Sequence, residues 1–436
     1  MTSGEHGRIV EARVAGSIQV RLWMSVALAA IWSAVWAQDT VWTRRFDSGR
    51  TDSYAGGDAC PDGGAVVAGQ SLTEPGQEHP VVSLVKYTPA GDTVWTRTYD
   101  SEYDDFFGCV AVDAQENVIV TGHNGQPAAG LVLKYDSSGD LLWTRRYGHG
   151  NLRTYLIGVT CDASGSIYAS GYAAGGSAGD DVILLKCTAD GDLDWVKTFD
   201  LGGNIESIDR LTLGPGGTLV GTGNTGDVEA WTFDFLTVKF TLDGDTVWSR
   251  RLDVQAEDWG CGIAVDSSGF FYATGYAGEF GVIPDSGVTM CYSSAGELMW
   301  WRTFGAGDIA GGSDVTLTPD GMVLVVGYAA DTLASTHAIL LLAFDPDGET
   351  AWTRTLRPHR SDVPTAVRFA NRTRAYVIGV CTDSTWPSSD FFLMKLRYGS
   401  GVEEPELVGV SRSPAQVSGP TLMRHGELLG LTVKKA

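Results

Sequence analysis

Pairs of apolar runs, alternating with small or polar residues and joined by an Asp/Ser/Gly turn, recur along the chain. They read VAVDAQENVIVTG at 110–122, VTCDASGSIYASG at 159–171 and IAVDSSGFFYATG at 263–275. Alternation with a period of two around a tight polar turn predicts a β-hairpin. A third apolar run follows, as in LVLKYD at 131–136, ILLKC at 183–187, FLTVKF at 235–240 and FFLMKL at 391–396. A fourth is built around tryptophan: GDTVWTRTY at 91–99, GDLLWTRRY at 139–147, GDLDWVKTF at 191–199, GDTVWSRRL at 244–252, GELMWWRTF at 296–304 and GETAWTRTL at 348–356. Counting the first copy, DTVWTRRF at 39–46, the tryptophans are Trp42, Trp95, Trp143, Trp195, Trp248, Trp300 and Trp352, spaced by 48 to 53 residues.

Each repeat of roughly 50 residues thus holds four strands. A sheet that small cannot bury both its faces alone, whereas copies stacked radially share a continuous core and leave only short edges. The expected fold class is all-β, a seven-bladed β-propeller with four antiparallel strands per blade. The chain opens on a tryptophan strand and its last repeat ends on a lysine strand near Tyr398. The strand at 39–46 is therefore expected to complete the last blade and close the ring, in one domain over 38–398.

The pattern AVDSSGFFYATGY, then a strand ending in lysine, then GDTVWTR, resembles the bacterial seven-bladed β-propeller repeat family (SBBP-type repeats) across nearly all of 38–398. The resemblance implies the propeller fold and is silent on activity, since propellers host many unrelated chemistries. Two copies depart from it, with Cys291 and Ala343 at the lysine position.

The ends break the period. Arg8, Arg13 and Arg21 precede an apolar run from Leu22 to Trp36 that closes on Val35-Trp36-Ala37, which fits a signal peptide over 1–37 cleaved before Gln38. An uncleaved anchor is the alternative. No other segment suits a membrane span. The 399–436 stretch reads as a Gly/Ser/Pro-rich linker and a short C-terminal tail, faintly similar to the start of a secretion or sorting segment.

Composition narrows the partners. The formal net charge of −22 repels phosphate backbones, so no nucleic acid is expected. Seven cysteines, about one per repeat and without CxxC, read as small core residues, with one or two disulfides the alternative.

In a repeat protein, residues shared by every copy serve the scaffold, and function lies in what varies. Two positions after each tryptophan stands a cation: Arg44, Arg97, Arg145, Lys197, Arg250, Arg302 or Arg354. That spacing puts both side chains on one strand face, for cation–π stacking or an ion pair with the next blade. Lys86, Lys134, Lys186, Lys239 and Lys395, with Asp181, Asp234 and Asp390, are expected in contacts between blades. Turns such as DSSGD at 136–140 and DPDGE at 345–349 lack the length and late Glu of a calcium loop and read as hairpins.

One recurrent set suggests a site. Seven residues before a common apolar position of the first strand stand Asp105, Glu206, Asp258 and Asp362, with Asp52 eight before. Together they would ring one mouth of the central channel, where calcium or a basic group is the ligand such a ring would take. The alternative is that each caps nearby backbone N–H groups. Copy-specific candidates are His123, His149, Arg153, Asp180, Glu257, Trp259, His337, His359 and Arg360. No GxSxG, HExxH or phosphate loop is present, so no cofactor is expected. These features favour a secreted or surface-exposed monomeric propeller of a bacterium that binds a polysaccharide, peptide or cell-surface partner. A lyase or hydrolase using the channel mouth, and a structural envelope component, are the competing readings.

Overall fold

The computed structural model describes residues 40–399 except 73–78, 102, 126–127, 177–178, 228–229, 280–285, 306–308, 332–334 and 383–388. The expected signal peptide over 1–37 and the tail from 400 to 436 lie outside the described residues.

The described residues form strands and no helix. After β1 (Thr40–Phe46), antiparallel pairing gathers the strands into quartets. The first is β2 (Thr51–Ala59), β3 (Ala65–Leu72), β4 (Val81–Tyr87) and β5 (Thr93–Tyr99); the second is β6 (Asp105–Val112), β7 (Val118–Asn124), β8 (Ala129–Tyr135) and β9 (Leu141–Tyr147). Then come β10 (Arg153–Cys161), β11 (Ile167–Gly176), β12 (Gly179–Cys187) and β13 (Leu193–Phe199), and β14 (Ile205–Gly214), β15 (Thr218–Asp227), β16 (Thr232–Thr241) and β17 (Thr246–Leu252). The next are β18 (Glu257–Val265), β19 (Phe271–Gly278), β20 (Ser286–Tyr292) and β21 (Leu298–Phe304), and β22 (Ile309–Leu317), β23 (Val323–Asp331), β24 (Thr336–Phe344) and β25 (Thr350–Leu356). Last are β26 (Ser361–Asn371), β27 (Arg374–Thr382) and β28 (Asp390–Arg397), with β1 as their fourth strand. Single parallel bridges, Asp180 to Ile205 and Phe233 to Glu257, join three quartets edgewise.

The pairing of β1 with β28 sets Trp42 opposite Lys395 and Phe46 opposite Phe391. Arg45 of β1 forms an ion pair with the buried Asp390 of β28. Arg251 and Asp234 do the same between β17 and β16. These aspartates therefore serve contacts inside a quartet, not between quartets as expected: antiparallel register puts the fourth-strand arginine beside them. The lysines do reach the next quartet, Lys134 to the Ala189 carbonyl at 3.2 Å, Lys239 to that of Ser294 at 3.2 Å and Lys395 to that of Pro89 at 2.6 Å. Lys186 is the exception and pairs with Asp194 of its own quartet.

The repeated Trp-x-Arg carries the seam between neighbours. Trp95 Nε1 donates to the Ser137 carbonyl at 3.0 Å and Arg97 Nε to the Gly139 carbonyl at 2.6 Å, both in the third-to-fourth-strand turn of the next quartet. The Arg97 guanidinium lies 5.6 Å from the Trp95 ring centroid. Gly139 has φ +80, and a Cβ there would stand 2.8 Å from the Trp95 ring, so this turn needs glycine on two counts. The arrangement recurs at Trp248, Arg250 and Gly296, and Arg44 of β1 donates to the Gly91 carbonyl of the first quartet at 2.8 Å. Trp195 Nε1 and Trp352 Nε1 have no partner among the described residues, and for Trp352 the topology supplies a reason. The quartet after it draws its fourth strand from the other end of the chain, and so has no such turn to offer.

The turns themselves are hairpins. The Asp136 carboxylate accepts from the N–H groups of Ser138 and Asp140, both at 2.9 Å, which commits it to the backbone. The core lies between sheets: Val66, Val82, Leu84 and Trp95 pack with Val110, Val120, Leu131 and Leu133 of the following quartet. Ala55, Val67 and Val85 likewise share a cluster with Tyr376, Ile378, Phe391 and Leu393 of the last quartet. Burying side chains of this size contributes about 1.5–3 kcal/mol each. No disulfide joins the cysteines among the described residues.

Candidate functional site

Each quartet's first strand slips its register at a corresponding place: Ser53/Ala55 in β2, Phe107/Cys109 in β6, Leu156/Gly158 in β10, Ile208/Arg210 in β14, Gly260/Gly262 in β18, Gly312/Asp314 in β22 and Pro364/Ala366 in β26, which slips again at Phe369/Asn371. A β-bulge inserts a residue and re-aims the side chains around it. These are the strands that line a shared cavity of about 370 Å³, to which β2, β6, β10, β14, β18, β22 and β26 all contribute.

The cavity holds charge. Arg368 of β26 bonds the Asp314 carboxylate of β22 through Nη1, and its Nε lies 3.7 Å from Asp58 of β2. Asp314 also accepts from the Val367 N–H at 2.9 Å, and Asp58 from those of Val112 and Ala59 at 2.9 Å. Burial raises the Asp58 pKa, and Arg368 opposes that rise. Burial disfavours the Arg368 charge in turn, but Asp314 and Asp58 outweigh it and hold the guanidinium above its ordinary value. Arg210 of β14 is different. Its Nη1 donates to the Asp209 carbonyl at 3.0 Å, and among the described residues no carboxylate comes within ion-pair distance of it. The Asp209 carboxylate accepts from Ser207 Oγ at 2.7 Å, and burial pushes its pKa up.

Arg210 also lines a second, adjoining pocket of about 480 Å³ walled by Tyr54, Phe106, His123, Tyr155 and Tyr172. Cross-strand register builds the wall, because directly opposed residues share a sheet face. Phe106 faces His123, and Tyr155 faces Tyr172. The Phe106 and His123 rings stack at 4.6 Å, His123 meets Tyr155 edge-on at 4.6 Å, and Tyr155 stacks on Tyr172 at 4.5 Å. The result is an aromatic ladder across two quartets. Burial lowers the His123 pKa to about 4, so the ring is neutral at physiological pH. Tyr54 is the bulge residue of β2, with φ +50 and 73% exposure. A left-handed backbone at a bulky residue costs about 1–2 kcal/mol, and here it sets an exposed ring at the pocket rim. The equivalent pairs elsewhere differ: Ser53 with Gln70, Ser207 with Asn224, Trp259 with Tyr276, Gly311 with Tyr328 and Val363 with Val380.

The five carboxylates singled out by sequence each sit fully buried at the start of a first strand. Each is engaged by the loop before it. Asp52 accepts from Ser48 Oγ at 2.5 Å and Ser71 Oγ at 2.6 Å; Asp105 from the Ser101 N–H at 2.7 Å and Asn124 Nδ2 at 2.9 Å. Glu206 accepts from the N–H groups of Leu201 at 2.8 Å and Gly203 at 2.6 Å, and Asp258 from that of Val254 at 2.7 Å. Asp362 accepts from the His359 N–H at 3.1 Å and lies 2.6 Å from His359 Nδ1. Burial pushes Asp52 and Asp258 up to about 6 and raises Glu206. Asp258 alone of the five belongs to an acidic cluster among the described residues, with Asp234 and Asp253, whose ligand atoms lie within 4.8 Å of one another.

Of the copy-specific candidates, His123 lies in the ladder, and Trp259 packs between Phe233 and Tyr276. His337 lies 3.0 Å from Ser361 Oγ and meets Tyr328 edge-on, and Arg153 offsets part of the burial-driven rise at Asp180. His149 is half-buried, Arg360 is exposed, and Glu257 supplies a parallel bridge. Sequence reasoning passed over Asp58, Arg210, Asp314 and Arg368, and with them Phe106, Tyr155 and Tyr172. Arg210 and Asp314 stand where other copies carry Ala, Cys or Gly, and Phe106 and Tyr155 where others carry Ser, Trp, Gly or Val; Tyr172 recurs as Tyr276 and Tyr328 and carries no such signal.

No known protein family matches the chain, and no curated protein does. Among solved structures, a protein of unknown function from Dyadobacter fermentans superposes with a TM-score of 0.51 at 10% identity, over 83% of this chain and 99% of that one. Puromycin hydrolase does so with a TM-score of 0.50 at 13% identity, over 82% of this chain and 55% of the other. The PQQ-bound aldose sugar dehydrogenase of Streptomyces coelicolor gives 0.39 at 12% identity, over 66% and 94%. At such identities the first two speak to fold alone, an all-β, propeller-like one, and the third carries no argument.

Proposed function

We propose that the chain is a closed seven-bladed β-propeller, exported from a bacterial cell, that binds a ligand at the mouth of its axial cavity. The closing strand in this reading is β1, supported by its pairing with β28 and by the Arg44 contact with Gly91. The observation that carries the binding role is the 480 Å³ pocket walled by the Phe106–His123–Tyr155–Tyr172 ladder. That volume falls in the ~300–1,000 Å³ range of small-molecule sites, which combine apolar walls with a few polar anchors. Stacked tyrosines offer flat faces to sugar rings or to peptide side chains. Tyr172 has counterparts in Tyr276 and Tyr328, but among the described residues the continuous run of Phe106, His123, Tyr155 and Tyr172 spans these two quartets alone.

A glycan and peptide array probed with residues 38–398 tests the reading. Tyr155→Ala and Tyr172→Ala are each expected to weaken the binding found by tenfold or more while melting within a few degrees of the parent. Binding that survives both substitutions refutes a ligand at this mouth.

A further inference from the structure

Arg210 stands where the other first strands, one residue past their bulges, carry Ala55, Cys109, Gly158, Gly262, Asp314 and Ala366. A guanidinium in that place is a single-copy feature and serves no repeat-wide seam. The cavity's other arginine, Arg368, is taken by Asp314 and Asp58. Arg210 gives one hydrogen bond to a main-chain carbonyl, and the Asp209 carboxylate beside it turns to Ser207 instead. Its planar fork of donors therefore faces the two cavities it lines, with the tyrosine ladder forming the wall of one. Arg210 is half-buried; burial disfavours its charge, and Asp314 and Asp209 favour it only through space, with neither in ion-pair contact, so its fork stays open to a carboxylate, the partner its geometry fits in two parallel hydrogen bonds.

We propose that the mouth selects a ring compound bearing one carboxylate, the ring packed on Tyr155 and Tyr172 and the carboxylate paired with Arg210. This rests on the binding role proposed above and names the chemical class of its ligand. A neutral ring would gain the stacking and leave the guanidinium unpaired. A cationic ring would meet Arg210 as a like charge. Two sources share the favoured chemistry: a uronic acid, whose carboxylate rides on a sugar ring, and an aromatic carboxylate.

The test is ligand-observed NMR titration of the full chain with D-glucuronate, benzoate, D-glucose and benzylamine, on the parent, Arg210→Gln, Arg210→Lys and Tyr155→Ala. Expected is binding of at least one carboxylate, ten- to a hundredfold tighter than its neutral or cationic counterpart. Arg210→Gln should erase that margin, Arg210→Lys should restore part of it, and Tyr155→Ala should weaken carboxylate and neutral ring alike. Glucuronate alone points to the sugar source, benzoate alone to the aromatic one, and both to the shared chemistry. Glucose binding as tightly as glucuronate, with Arg210→Gln inert and Tyr155→Ala damaging, overturns the carboxylate and leaves the mouth as a site. Failure of both carboxylates to bind the folded parent also overturns the proposal, and indifference to Tyr155→Ala sinks the binding role with it. Should Arg210→Gln fail to fold, the margin between the parent and Arg210→Lys decides.

Discussion

Replacing Arg368 with Met isolates the charge network of the shared cavity. In the parent, Arg368 lies against Asp314, whose side chain is 3% exposed, and near Asp58, whose side chain is 26% exposed. Its loss leaves Asp314 with the Val367 N–H and Asp58 with the N–H groups of Val112 and Ala59. Stranding one partner of a buried pair costs about 3–5 kcal/mol. Asp58 opens onto the cavity, where water screens it, so the lower end applies, about 3 kcal/mol. With unfolding entropy near 2.1 cal/mol/K per residue over roughly 360 residues, that is a fall in melting temperature of about 4 °C. Urea denaturation of the parent, Arg368→Met, Asp314→Asn and the double variant measures it. The double variant should recover about 1 kcal/mol or more relative to the sum of the singles, because the second change removes the stranded charge. The deficit of Arg368→Met should also shrink as pH falls toward 5. Burial already raises Asp58, and without the opposing guanidinium its carboxyl protonates more readily. A loss under about 0.5 kcal/mol, typical of solvated surface pairs, or strict additivity refutes the reasoning.

Asp52 and Asp258, held at about 6 against an ordinary 3.8, give an unusual pH profile. A group whose folded pKa is raised contributes stability that is fully present below the unfolded value and is lost as pH rises through the folded one. Their share of stability should therefore fall between pH 4 and 7, by up to about 3 kcal/mol each. Melting scans should show Asp52→Asn or Asp258→Asn flattening that slope; variants with the parent's slope contradict it. Gly139→Ala places a Cβ at positive φ and 2.8 Å from the Trp95 ring, and should cost about 2–3 kcal/mol by denaturant titration. A neutral result would mean the Trp95 seam is loose.

The strands were legible because period-two alternation and Asp-Gly turns repeat in every copy, and the structure places GDTVWTRTY and its counterparts on fourth strands as read. The tryptophan and the cation two residues on were legible for the same reason, and in the six copies from Trp42 to Trp300 they do stack at 5.0 to 5.8 Å. The recurring acids read equally well as a channel ring or as local caps, and the bonds to Ser48, Ser101, Leu201, Val254 and His359 show the local engagement directly. The shared-cavity site was not legible. Arg210, Asp314, Arg368 and Asp58 come from four different copies and meet only once the first strands share a cavity. The bulges that aim them leave no mark in a hydropathy pattern. His123 reads from the sequence only as a copy-specific candidate; the structure sets it in β7, and its stacking on Phe106 depends on register, which a single residue does not reveal.

Closure of the sheet assembly by the chain's first strand is the claim on which cavity and mouth both depend. Hydrogen exchange of the peptide spanning Thr40–Phe46, read by mass spectrometry, tests it directly. If β1 seals the last quartet, its amides should exchange with the same opening free energy as those around Leu393 in β28. Exchange of 40–46 at the rate of an unfolded chain, while β27 and β28 stay protected, would contradict it.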